Sequence, residues 1–84
     1  MKTVNWETIL SDIAEARDEL EKIEADVKAN KAPCEGELQV RLRHVYNHVN
    51  FAWNCRHVST DRYASMTDQE FKRWGKYPKR IENL

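Results

Sequence analysis

The side chains best equipped for chemistry are gathered in one stretch, HVYNHVNFAWNCRH (residues 44–57), which holds three histidines, a cysteine, three asparagines and three aromatics. His44 and His48 stand at i and i+4, the spacing at which one helical face offers two imidazoles to a metal ion. A structural zinc takes four ligands. Cys55 lies seven residues beyond His48, about 10 Å along a helix axis, and Cys34 is as far or farther in the other direction. The candidate ligands do not converge, so no metal and no cofactor is expected. The two imidazoles are predicted to pack edge-on and to hydrogen-bond with a backbone or carboxylate group nearby. No catalytic residue is assigned either: His48 and Cys55 are too far apart to form a base–nucleophile pair, and a thiol on an apolar helical arc is inert.

Two other groups of residues are equipped for binding. Arg43, Asn47, Asn50 and Asn54 fall on one stripe of the same helix, with His57 just beyond. Asparagine inside a helix is about half a kcal/mol worse than alanine, so three on one stripe have a purpose. The stripe either hydrogen-bonds across the bundle or to the C-terminal segment, or serves as a polar recognition strip for a partner. The second group lies in FKRWGKYPKR, where Lys72, Arg73, Trp74, Lys76 and Tyr77 interleave cations with aromatics in the manner of a single-strand nucleic-acid binder. The same aromatics are also the best cover for the rest of the chain, and docking is the expectation. Arg43 and His48 further form an R-x4-H pattern that resembles the signature of the HEPN ribonucleases, a helical family. The resemblance implies that these two side chains would act together on an RNA phosphate. Five residues apart in an unbroken helix, however, they point roughly 140° away from each other.

The elements that carry these residues are helices. Trp6, Ile9, Ile13, Ala16, Leu20, Ile23 and Val27 recur at alternating steps of three and four, a heptad seam that predicts a helix from about residue 5 to 30 with Asn5 as its N-cap. Pro33 breaks the pattern within NKAPCEGE. A second seam, Leu38, Leu42, Val45, Val49 and Ala52, predicts a helix over about 35–59, and the short connection makes the pair an antiparallel hairpin whose seams face each other. Tyr46 and Trp53 widen this seam, and a separate arc of Val40, His44, His48, Phe51, Cys55 and Val58 requires a second contact. Residues 60–65 read as loop. Thr67 and Glu70 then form a capping box for a short helix over about 68–74, stopped by Gly75.

At 84 residues the chain is one domain with little room for a cleft of its own, which favours a helper over an enzyme. Its net charge is zero but uneven: residues 1–37 carry five Lys and Arg against ten Asp and Glu, and residues 38–84 carry nine against four. Mutual attraction of the two halves is expected. No apolar run approaches the ~20 residues of a membrane span, nor is there one of signal-peptide length, which points to the cytosol and to free thiols. The sequence thus predicts a single all-α domain over 1–84, a long hairpin plus a short C-terminal helix. It predicts a non-enzymatic module acting through protein–protein contacts, homodimeric, with a four-helix bundle as one form of the dimer. Nucleic-acid binding through the C-terminal segment is the first alternative. An enzyme centred on His44 and His48, acting through a metal or on RNA, is the second.

Overall fold

The computed structural model describes residues 3–77, which form four helices: α1 (Trp6–Lys28), α2 (Glu35–Asn54), α3 (Thr60–Ala64) and α4 (Asp68–Trp74). No strand occurs among the described residues. α1 and α2 form the antiparallel hairpin. α3 packs on α1 and α4 on α2, so the C-terminal segment folds back over one side of the two-helix layer.

Each boundary has a local cause. Asn5 accepts a hydrogen bond from the Thr8 amide at the start of α1, while its own side-chain amide donates to the Val58 carbonyl (2.7 Å) and its backbone N–H to the Arg56 carbonyl (2.6 Å). The cap is therefore also a tie between the beginning of α1 and the end of α2. At its other end α1 closes through Asn30, held at φ 61°, a left-handed position that asparagine tolerates better than most residues. The Lys31 amide then donates to the Asp26 carbonyl at 2.8 Å. α2 begins where Glu37 reaches back to the Cys34 amide (3.0 Å).

Three expectations are corrected. α2 ends at Asn54 rather than near residue 59, because the carbonyls of Arg56 and Val58 are turned toward Asn5. Residues 60–64, read as loop, are helical: Ser59 caps α3 by accepting from the Arg62 amide (3.2 Å), a signal too short to show periodicity. The seams also do not face each other along their whole width. Ile9 and Ala16 are buried and Ile23 is half-buried, whereas Trp6, Ile13, Leu20 and Val27 of the same seam are exposed.

Candidate functional site

α1 is turned so that its polar edge, not the centre of its apolar stripe, meets α2. Asp12 is 3 % exposed and receives both carboxylate contacts from Tyr63 of α3, whose hydroxyl donates at 2.7 and 2.9 Å. His48 of α2 reaches the same carboxylate through Nδ1 at 2.8 Å. A carboxylate only accepts, so that imidazole carries its proton on Nδ1. Its Nε2 meets Nε2 of His44 at 3.0 Å, the rings edge to face with centroids 4.6 Å apart. One turn further along, Arg41 donates from Nε to Glu19 (2.8 Å) and from Nη1 to Asp26 (2.9 Å). The guanidinium holds the Glu19 carboxyl below its ordinary range, chiefly through that hydrogen bond. The attraction between the acidic first half and the basic second half is realised here as these specific pairs.

An imidazole oriented by a buried carboxylate is a pair that enzymes use to move protons. In this chain the far nitrogen is occupied by a second histidine. Cys55 is 1 % exposed, and its thiol is pushed up to about 12, first by burial and then by the nearby charges of Asp12 and Glu70. Such a thiol is not a nucleophile at neutral pH. Burial and the hydrogen bond to Asp12 likewise raise the Tyr63 hydroxyl well above its usual range, which keeps it a donor. Among the described residues no group of three or more His, Cys, Asp and Glu is placed to hold a metal ion.

The asparagine stripe meets the end of α4. Asn50 is buried and donates to the Gly75 carbonyl (2.9 Å), and Asn54 donates to the carbonyls of Trp74 (2.6 Å) and Lys76 (2.9 Å). The two amides thus satisfy carbonyls at and just beyond the end of α4, where a helix leaves its last carbonyls without partners. Phe51 completes the contact, with its ring 5.2 Å from Phe71 and 6.3 Å from Tyr63. Gly75 follows α4 directly and ends it, as its position in the sequence predicts, without a left-handed turn. Its φ is −81° and the position is closely packed: a Cβ there would lie 3.1 Å from the Phe71 carbonyl, a tight contact, and 3.5 Å from the Phe51 ring, an ordinary one.

The remaining binding residues are distributed unequally. Arg43 and Asn47 line a groove of about 630 Å³ with Tyr46, Phe71, Lys72 and Lys76. Members of both predicted groups therefore share one wall-to-wall site between α2 and α4, a conjunction that the sequence does not show. Among the described residues no carboxylate lies within 4 Å of the charged end of Arg43, Lys72 or Lys76. Arg73 and Trp74 lie apart from it: Trp74 sits between the guanidinium groups of Arg62 and Arg73 (5.8 and 5.7 Å), and Glu70 is paired with Arg62. Tyr77 is exposed, and His57 contacts the Thr3 carbonyl at 3.2 Å. Arg43 opens onto the α4 groove while His48 faces α1, so α2 runs unbroken through both and they do not meet.

A broad apolar surface lies on the other side of the hairpin, with Tyr46 at the edge that it shares with the α4 groove. α1 exposes Trp6, Leu10, Ile13, Leu20 and Val27 there, and α2 exposes Leu42, Tyr46, Val49 and Trp53, each between 36 and 62 % accessible. Beside Arg56, four of these side chains, Trp6, Ile13, Val49 and Trp53, border an apolar groove of about 480 Å³ that includes Ile9 and Ala52. Sequence reasoning placed most of these residues in the hairpin's own core; the signal that they face outward is the surplus of apolar positions over what two helices can cover in each other. No helix among the described residues is long and apolar enough to cross a membrane. Comparison with protein-family models, with curated proteins and with solved structures finds no match for this chain.

Proposed function

We propose that the chain is a small non-enzymatic interaction module of the cell interior that works through protein–protein contacts made by the open face of its hairpin. The observation that carries this reading is the set of nine large apolar side chains exposed on one side of a two-helix layer. Monomeric domains ordinarily expose no contiguous apolar patch larger than about 300–600 Å², and wider ones mark contact surfaces. The chemically equipped residues support the reading by their engagement: Asp12, His48, Arg41, Asn50 and Asn54 are joined to one another's elements and hold the hairpin and its C-terminal cover together. Photo-crosslinking in the host cell tests it. A photoreactive residue at Leu20, on the open face, is expected to give protein adducts, and one at Glu15, off that face, is not. Absence of any protein adduct from Leu20 overturns the reading.

A second reading, binding of single-stranded nucleic acid, is favoured by the groove between α2 and α4. Arg43, Lys72 and Lys76 provide three cations around the rings of Tyr46 and Phe71, a combination suited to phosphate and base. Anisotropy of a labelled oligonucleotide tests it: binding would fall steeply with salt, and Arg43→Ala combined with Lys72→Ala would flatten that dependence. Binding that is absent at low salt excludes it.

A further inference from the structure

We propose that the open face is covered by a second copy of the same chain, giving a symmetric four-helix bundle in which α1 of each copy lies beside α2 of the other. The proposal rests on the interaction reading above and names its partner.

The first argument is area. With ordinary side-chain areas, of order 150–250 Å² for an aromatic residue, the nine exposed side chains present roughly 800–900 Å². A standard stable interface buries about 800 Å² on each partner. The face is thus the size of one complete half-interface and exceeds what a solitary domain leaves open.

The second argument is spacing. Trp6, Ile13, Leu20 and Val27 recur every seven residues and all remain exposed. A strict seven-residue repeat drifts around a straight helix and stays aligned only against a neighbour that supercoils with it. On α2, Leu42 and Val49 carry the same interval, so the layer offers two seams side by side. A surface that presents the same two seams is available in a second copy, and two such layers stacked face to face make a four-helix bundle. The apolar groove beside Trp6 and Val49 provides a hole for the incoming side chains.

Charge decides the arrangement. α1 carries eight carboxylates against three cations, net −5, while α2 carries two of each and is neutral with its histidines uncharged. A dimer that sets α1 on α1 brings two strongly acidic helices together. One that sets α1 on the partner's α2 avoids this, keeps all neighbouring helices antiparallel and places the two-fold axis along the bundle.

Sedimentation equilibrium of the full chain from 1 to 100 µM tests the partner. The mass of two chains is expected, and Leu20→Lys should weaken association at least 100-fold while the helical circular dichroism persists. Leu42→Lys, on the other helix of the face, should do the same, so the test stands if either variant fails to fold. For the arrangement, proteins carrying Ile13→Cys and Val49→Cys, each in a Cys34→Ser background, are mixed and oxidised. A disulfide between the two different variants is expected to outnumber those between like variants. A single-chain mass at 100 µM overturns the dimer, and crosslinks in the cell to an unrelated protein alone would leave the interaction reading intact. Dimerisation unchanged by both lysine variants overturns the choice of face, and exclusive Ile13–Ile13 linkage overturns the placement of α1 beside α2.

Discussion

Replacing Asp12 by alanine is expected to be the most destabilising single change outside the aromatic core. The carboxylate is 3 % exposed and accepts from the Tyr63 hydroxyl and from His48 Nδ1, so its removal leaves two half-buried donors without a partner. Hydrogen bonds to a charged acceptor contribute about 1.5–3 kcal/mol each, and Asp12 accepts from two donors. A loss of about 3–5 kcal/mol follows for Asp12→Ala, a large part of the stability of so small a domain. At 4–8 °C per kcal/mol for this size, the melting temperature should fall by more than ~12 °C. Tyr63→Phe removes one of the two donors and should cost about 1.5–2 kcal/mol. Because the residues share a bond, the double variant should cost less than the sum, with a coupling of about 1.5 kcal/mol. Urea denaturation at a single protein concentration measures all four corners of the cycle, so any linkage to self-association stays constant. Asp18→Ala, an exposed acid on the same helix, is the control and should change stability by no more than about 0.5 kcal/mol. A cost for Asp12→Ala within 1 kcal/mol of that control, or a coupling near zero, would refute the assignment of Asp12 as the junction of α1, α2 and α3.

Three further outcomes are expected. In the native protein a thiol reagent at pH 8 should modify Cys34, which is exposed, and spare Cys55, whose buried thiol is pushed up to about 12; denaturation should double the number of reacting groups. Glu70, held down to about 2 first by its hydrogen bond from Arg62 and then by the Thr67 amide, contributes stability that is full above its ordinary value of 4.5 and is lost as pH falls through about 2. The difference in melting temperature between wild type and Glu70→Gln should therefore be present at pH 6 and shrink as pH is lowered from 4.5 toward 2. Gly75→Ala should cost no more than about 1 kcal/mol in urea, since the added methyl group is tight only against the Phe71 carbonyl of the same helix, at 3.1 Å, and in ordinary contact with the Phe51 ring at 3.5 Å.

Helix type and order were legible because the signals are local. The alternating steps from Trp6 to Val27, the break at Pro33 and the Thr67–Glu70 capping box each specify backbone conformation within a few residues, and α1, the start of α2 and α4 stand where those signals put them, whereas the end of α2 and the five-residue α3 do not. The rotation of α1 about its own axis was not legible. Its apolar positions span an arc wide enough to face α2 in more than one orientation, and a periodicity records the width of a stripe, not which edge of it is used. What selects the edge is a set of polar partners distant in sequence: Tyr63 and His48 for Asp12, and Arg41 for Glu19 and Asp26. Read alone, Asp12 suits the first turns of a helix and Glu19 suits a solvated face. The asparagines of α2 were legible as an anomaly, because mid-helix Asn is costly, but the partners of Asn50 and Asn54 are backbone carbonyls, which carry no sequence signature. The groove that joins Arg43 to Lys72 and Lys76 was hidden for a related reason: it exists only once α4 has docked.

The hairpin divides its interactions by side. The contacts on the α3 and α4 side are directional, since Asp12, Arg41, Asn50 and Asn54 each require a named partner at hydrogen-bond distance, and such contacts specify one arrangement of the chain. Contacts on the open side would be apolar and non-directional, a kind that gives association its driving force. Segregation in this form has a consequence for how the molecule responds to damage. A polar substitution on the open side removes no intrachain hydrogen bond and exposes nothing new, so it should affect association far more than the fold of the single chain. A substitution among the polar residues unties α1 from α2 and α3, and it should disturb the open face as well, because the two seams lie side by side only while α1 keeps the rotation that Asp12 and Arg41 impose.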